Sequence, residues 1–286
     1  MSNISASQVK ELREKTGLGL MDCKKALKEA NGDLDLAVEE LRKSSGLKAS
    51  KKSSRSAADG LIGIKSTAGK SFMVEINCET DFVARDDSFN LFMQEVLEIV
   101  SSNRDKSLEE LLELGIEEKR EKLVQKLGEN IVVRRVTASV DNADSSGVYL
   151  HSNNKIGTII SLKGGTEEVA KDIAMHAAAT DPMAISPSDI PNDVIEKEKE
   201  IYKAQSEDSG KPEDIVEKMV EGKIRKFLSE VSLTEQDFVK DPGVKINDIL
   251  TESNASIIGF TRFEVGEGIE VEKVDFASEV MSQIEG

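Results

Sequence analysis

Tryptophan is missing from this chain, and nine Phe and two Tyr bring aromatics to only 4% of its 286 residues. Single-stranded nucleic acid is commonly held by aromatic rings on which bases stack, and such platforms are scarce here. Positive charge is in short supply too: 38 Lys/Arg stand against 54 Asp/Glu, for a net charge of −16. A phosphate backbone demands a basic face, so general nucleic-acid binding is not expected. No apolar run approaches about 18 residues, so no membrane-spanning helix is predicted. Met1-Ser2-Asn3-Ile4 gives way at once to charged sequence, without the apolar segment of a secretory signal. Only two cysteines occur, Cys23 and Cys78, too few to staple a chain of this size. Reduced thiols in a cytoplasmic protein are the expectation.

Catalytic chemistry is equally sparse. The two histidines, His151 and His176, have no Cys or His neighbours at zinc-ligand spacing, so neither a metal site nor a cofactor is predicted. His151 falls in a predicted hairpin loop, as a solvated rather than a catalytic residue. His176 sits in the apolar run Ile173–Ala179, as a core or an interface histidine. Gly63-Ile64-Lys65-Ser66-Thr67-Ala68-Gly69-Lys70-Ser71 superficially resembles a phosphate-binding loop. Its glycines are one residue too far apart, and Lys70-Ser71 leads into strand-like Phe72-Met73-Val74-Glu75-Ile76 rather than a helix N-terminus. Nucleotide binding by this chain is not expected.

What is present is a soluble-type composition, 38% hydrophobic and 32% charged, long enough for two or three compact units. Ser5 and Gln8 stand at capping-box spacing ahead of Val9 and Leu12. Thr16-Gly17-Leu18-Gly19 breaks that helix. Leu20, Cys23, Leu27 and Ala30 mark a second amphipathic helix, and Asn31-Gly32-Asp33 reads as a turn that ends in an N-cap. Leu34, Ala37, Val38 and Leu41 face inward from a third. Residues 1–45 therefore predict a three-helix module, and 46–56 a basic, mobile linker. Residues 1–56 hold 12 Lys/Arg against 8 Asp/Glu, and Lys43, Lys48, Lys51, Lys52 and Arg55 run without an intervening acid. That run reads either as a solvated segment or as a contact for an acidic partner.

From Ala58 the hydrophobic period shortens. Leu61–Ile64 and Phe72–Asn77 predict a β-hairpin, followed by helices at about 88–101 and 107–127 and a strand at Ile131–Ser139. The order then recurs. Gly147–Leu150 and Lys155–Leu162 form another hairpin, with a helix near 166–179 and a strand at Ile257–Phe263. Val83-Ala84-Arg85-Asp86 is matched in type by Val169-Ala170-Lys171-Asp172, which indicates a duplicated α+β unit carrying an insertion. Within the insertion, Ile215, Val216, Met219, Val220, Ile224, Phe227, Leu228 and Val231 follow a helical period, so a helical hairpin is expected. A last helix opened by Asp275 places Phe276, Val280 and Ile284 on one face, to pack on its own core or on a partner.

Two long stretches carry a family resemblance. Leu12-Arg13-Glu14-Lys15-Thr16-Gly17-Leu18-Gly19-Leu20-Met21-Asp22-Cys23-Lys24-Lys25-Ala26-Leu27 and Glu75-Ile76-Asn77-Cys78-Glu79-Thr80-Asp81-Phe82-Val83-Ala84-Arg85 resemble the signatures of the elongation factor Ts family. Ile173-Ala174-Met175-His176, Lys218-Met219-Val220-Glu221-Gly222 and Arg262-Phe263-Glu264-Val265-Gly266-Glu267-Gly268 are similar to it as well, so the likeness spans the chain in order. The resemblance implies an α+β protein. It would have a three-helix domain like ubiquitin-associated modules (1–45), the linker, and a core of antiparallel sheets with helices in two subdomains (57–141 and 142–270). A coiled-coil hairpin would be inserted at 190–231, with a C-terminal module at 271–286.

It also implies a non-enzymatic partner for elongation factor Tu, promoting release of GDP. Thr80, Asp81, Phe82 and Val83 correspond to the family's segment that dislodges magnesium in Tu, and Leu20, Met21 and Asp22 to a surface that grips the GTPase. His176 corresponds to a histidine set against the partner, and the helix bearing Phe276 and Val280 to a further contact. From the residues alone Thr80 and Asp81 favour capping a helix, and Phe82 could either fill this protein's own core or project outward. The resemblance also leaves room for a higher-order complex with Tu. The competing reading is an adaptor whose three-helix module binds a protein partner, and only residues 1–45 favour it.

Overall fold

The computed structural model describes residues 4–67, 69–207 and 212–270. The predicted C-terminal module at 271–286, with Phe276 and Val280, lies outside the described residues, as does most of the Ser209–Pro212 break. Helices and antiparallel sheets are mixed, the α+β class expected from the sequence. The chain divides into two compact units. One comprises residues up to Gly63, Val74–Val136 and the segment from Glu264; the other comprises Ile64–Met73 and Thr137–Phe263.

The first unit opens with α1 (Ala6–Thr16), α2 (Leu20–Glu29) and α3 (Leu34–Lys52). Ser5 and Gln8 form the capping box of α1, and Gly17 ends it in the left-handed conformation (φ +70°), its N–H donating to Arg13 O. The Asp33 carboxylate accepts from the amides of Asp35 and Leu36 at the start of α3. Val9, Leu12, Leu18, Cys23, Ala26, Leu27, Ala37 and Leu41 close a small core between the three helices.

Most of the expected linker, up to Lys52, is helix. Helix α3 continues to Lys52, and Leu41, Ser45 and Ala49, four residues apart, form a buried stripe. It packs on α7 (Glu117–Leu127), where Arg42 reaches Glu118 at 2.8 Å. The Ser/Lys composition suggested a mobile chain. Here the small side chains let two helices approach, and Ser44 and Ser45 hydroxyls donate back to the carbonyls of Leu41 and Arg42. Its cations are also largely spoken for: Lys43 pairs with Glu39 and Glu40, Lys48 with Asp22, and Arg55 with Glu79.

Strands β1 (Asp59–Thr67), β2 (Lys70–Cys78) and β3 (Ile131–Ala138) form a sheet in the order β1-β2-β3. The central β2 is buried continuously from Ser71 to Cys78, covered on both faces and so without alternation. Between β2 and β3 lie α4 (Asp81–Ala84), α5 (Asp87–Ser102), α6 (Leu108–Leu111) and α7. Phe89, Phe92, Met93, Val96, Leu97 and Val100 of α5 are buried. Gly63 leaves room for them, since a Cβ there would stand 2.5 Å from Met93 Sδ. Glu75, on β2, has no exposed surface. Burial opposes its charge, but the Gly266 N–H, Arg135, Arg134 and Asn77 outweigh that cost and hold its carboxyl below the usual range.

In the second unit β4 (Ser145–Leu150) pairs antiparallel with β5 (Ile156–Lys163), and β8 (Ser256–Glu264) lies beside β5. Helix α8 (Glu167–Thr180) packs on β4 and β5 through Ala170, Ile173, Ala174 and Ala177. The small residues bring helix and strand so close that a Cβ on Gly147 would lie 2.1 Å from Ala170 C. The hairpin helices are α9 (Asn192–Glu207) and α10 (Glu213–Val231). Beyond them lie β6 (Asp237–Phe238), β7 (Asp241–Lys245) and α11 (Ile246–Glu252), which the sequence reading did not anticipate. Hairpin, helix and third strand thus recur in the same order in both sheets. Thr80 and Thr166, at corresponding places, both cap the helix that follows, accepting from Val83 N and Val169 N.

Candidate functional site

After β2 ends at Cys78, the chain turns through Glu79 and Thr80 into the single turn of α4. Thr80 is extended (φ −133°, ψ 157°), and its hydroxyl oxygen accepts from Val83 N at 3.5 Å. A turn this short has one inward side. Val83 and Ala84 occupy it and are buried. Phe82 is consequently turned away from the core and 81% exposed. Burying a phenylalanine is worth about 1.5–3 kcal/mol, so a ring left almost wholly in water contributes little to its own fold. Of the two positions open to Phe82 from sequence, the structure gives the outward one.

The turn carrying the ring is firmly held. Glu129, between α7 and β3, accepts from Glu79 N (3.1 Å), Thr80 N (3.0 Å) and the Thr80 hydroxyl (2.6 Å). Glu79 returns the contact by accepting from Asn130 N at 2.6 Å. Asp81 pairs with Arg85 at 2.8 Å. Asp86 caps α5 through Ser88 N at 2.7 Å. Slight burial opposes the Asp86 charge, but bonds from Ser88 outweigh it and lower its pKa. Sequence reasoning missed Glu129. It lies some fifty residues from Thr80, and its only local signal was its place in the polar break Gly128-Glu129-Asn130 after a helix.

Leu20, Met21 and Asp22 form the first turn of α2. Leu20 is 52% and Met21 72% exposed, while Cys23, Ala26 and Leu27 face the core. Asp22 is tied to Lys48 of α3 at 3.0 Å. Thr80–Val83 and Leu20–Asp22 thus present apolar side chains from separate, separately braced turns of one unit.

His176 belongs to the other unit, and its assignment to a partner surface requires correction: it has no exposed surface. Its Nε2 lies 2.9 Å from Gln236 Oε1, and its Nδ1 accepts from Val239 N at 3.3 Å. That is a neutral ring with its proton on Nε2. Burial pushes its pKa down, with Gln236 partly opposing. Thr180 also donates to Gln236 Oε1, and the Gln236 amide donates to Glu230 O, so the histidine ties α8 to the segment after α10. The apolar pattern Ile173–Ala179 reflects a core face, not an interface. The exposed histidine is His151, whose Nδ1 lies 3.0 Å from Asn153 Oδ1.

Among the described residues, no group of three or more His, Cys, Asp and Glu is placed to hold a metal ion. Cys23 and Cys78 are both buried. Gly63 to Thr67 lie in β1, and Lys70-Ser71 open β2, so the chain continues from Lys70 as a strand and not into the helix that a phosphate loop feeds. No helix among the described residues is long and apolar enough to cross a membrane.

Residues 79–267 match the family model described as Elongation factor TS. Relatives over the full length agree. The chain is 54% identical over 288 residues to elongation factor Ts of Hahella chejuensis, covering 100% of both chains. The chain belongs to the elongation factor Ts family. It is 51% identical over 292 residues to elongation factor Ts of Francisella tularensis subsp. novicida, again covering 100% of each. Identity to elongation factor Ts of Marinobacter nauticus is 53% over 282 residues, covering 98% of this chain and 97% of that one. Membership makes it a translation elongation factor. The family match includes Thr80–Val83 and Glu129, and the full-length relatives extend it over Leu20–Asp22.

Proposed function

We propose that this chain acts in the cytoplasm as a guanine nucleotide exchange factor: it binds elongation factor Tu carrying GDP and promotes GDP release, allowing GTP to load. Phe82 carries the reading. An aromatic ring exposed on a turn braced by hydrogen bonds can enter a partner without first paying the entropy of ordering its own loop. Thr80, Asp81 and Val83 set the direction of that turn. Magnesium demands near-octahedral coordination at 2.0–2.1 Å, so a small shift of the partner's elements around it weakens its hold on the diphosphate. No covalent step is involved, and the chain needs no cofactor.

The wedge does not act alone. Accelerating release by about 10⁴ requires about 5.5 kcal/mol of differential stabilisation, against about 1.5–3 kcal/mol for one buried Phe. Docking elsewhere supplies the remainder, with Leu20, Met21 and Asp22 as one contact and the C-terminal residues Phe276 and Val280 as another. Linkage is reciprocal: if the chain weakens GDP binding, GDP weakens the chain's binding by the same factor, and excess nucleotide completes the cycle. The adaptor reading leaves both Phe82 and the family match beyond residue 79 unused.

The test is release of a fluorescent GDP from preloaded Tu with and without this chain. Acceleration that saturates with chain concentration supports exchange. Unchanged release at micromolar chain ends the proposal.

A further inference from the structure

The exchange reading leaves open what keeps the wedge aimed. Helix α4 has only four residues and cannot hold a direction by its own hydrogen bonds. Cys78 and Val83, on either side of the turn, are buried, whereas Phe82 between them is exposed. A change of backbone angle at Glu79 or Thr80 would therefore swing the ring while leaving the buried anchors in place. Those two residues are the ones bound by a single side chain from a distant part of the sequence. One Glu129 oxygen takes both backbone amides (3.1 and 3.0 Å), and the other takes the Thr80 hydroxyl (2.6 Å). The same hydroxyl oxygen caps α4 by accepting from Val83 N. Glu129 thus fixes both the approach to the turn and the group that starts it.

The clamp is also reciprocal. Glu79 Oε1 accepts from Asn130 N (2.6 Å), and the Asn130 amide group donates to Arg55 O (2.8 Å). A carboxylate taking three donors from one loop satisfies groups that a strand end and a one-turn helix otherwise leave without backbone partners. A helix cap alone needs only Thr80. The additional hold on Glu79 N and Thr80 N is what a presented side chain requires.

We infer that Glu129 is a positioning residue for exchange: it touches neither nucleotide nor metal, but sets the orientation from which Phe82 enters the partner. The inference rests on the exchange reading of Phe82. If it holds, loss of Glu129 lowers the maximal rate of GDP release rather than the affinity for Tu, because Leu20 and Met21 are on a turn braced independently through Asp22 and Lys48.

The experiment measures release of fluorescent GDP from Tu over a range of chain concentrations, so that plateau rate and half-saturating concentration separate. The variants are Glu129→Ala, Glu129→Gln, Phe82→Ala and the Phe82→Ala/Glu129→Ala pair. Amide hydrogen exchange at Glu79 and Thr80 is followed in parallel. Glu129→Ala is expected to lower the plateau about ten-fold, since misplacing a reacting group by about 1 Å can cost up to about a hundred-fold. Its half-saturating concentration should stay within about two-fold. Glu129→Gln keeps the shape and a carbonyl oxygen for the two amides, and should fall between Glu129→Ala and wild type. In the Phe82→Ala background Glu129→Ala should add nothing, because both act through one ring. A wild-type plateau in Glu129→Ala, a shift confined to half-saturation, or full additivity with Phe82→Ala overturns the inference. If the unaltered chain fails to accelerate release, the exchange reading falls and this role falls with it. Amide protection lost at Glu79 and Thr80 would then still register the clamp as a structural one.

Discussion

Truncating Phe82 to alanine removes a side chain that the fold hardly uses. The ring is 81% exposed, Val83 and Ala84 supply the inward face of its turn, and the Thr80 cap and Asp81–Arg85 pair remain. Surface changes away from such features usually stay within about ±0.5 kcal/mol, so the melting transition should hardly move. Function should move far. If the ring is buried in the partner only when nucleotide is released, deleting it forfeits about 1.5–3 kcal/mol of differential binding. At about 1.4 kcal/mol per factor of ten, that is a loss of about ten- to a hundred-fold in the plateau rate. The assay is stopped-flow release of fluorescent GDP from Tu, with thermal unfolding of the same preparations alongside. Phe82→Leu, which keeps apolar area but loses the flat ring, should be intermediate. A Phe82→Ala variant that exchanges at the wild-type plateau refutes the wedge, even with family membership intact. A variant that unfolds several degrees early would instead place the ring within its own core.

Two further outcomes test the folding argument. His176 is held neutral by burial, so its folded pKa lies below the ordinary value of 6.5. The unfolded chain then takes up the proton first, and stability present above about pH 6.5 is lost as pH falls through that value toward the folded one. Urea midpoints measured near pH 8 and near pH 5.5 should fall more for the wild type than for His176→Gln, and parallel shifts would contradict the neutral buried ring. Gly147→Ala sets a Cβ 2.1 Å from Ala170 C, against backbone that cannot rotate aside. It should cost on the order of 1–3 kcal/mol or more in urea unfolding, and a variant within about 0.5 kcal/mol of wild type would show that β4 and α8 can separate freely.

Local chemistry was the legible part of this sequence. Ser5, Asp33 and Thr80 cap helices because each bonds within three residues of itself, so spacing alone announced them. The two hairpins and the later strand of each sheet were visible as changes of hydrophobic period, and their order follows the duplication. Where tertiary packing overrides composition, the reading failed. Gly46 and Ala49 look like linker residues until they are seen on a helix that packs against α7. β7 begins Asp241-Pro242-Gly243, a turn-like run, and escaped notice for that reason. His176 was open between core and interface because an apolar helical stripe is the same string of letters in either place. The outward turn of Phe82 was undetermined too, since a four-residue helix has no period to read. Glu129 was beyond reach: its bonds to Glu79 and Thr80 join residues about fifty apart, and only folding brings them together.

The destination of the Phe82 ring can be observed directly. Phe82 can be replaced by a benzophenone-bearing phenylalanine, the complex with nucleotide-free Tu irradiated, and the cross-linked peptides identified by mass spectrometry. Adducts confined to the elements of Tu that surround the magnesium and phosphate site are the expected result, and they should diminish when excess GDP is added before irradiation. Adducts on a surface of Tu remote from the nucleotide, or a cross-link returning to this chain's own core, would contradict the claim that the ring acts on the partner's metal and phosphates.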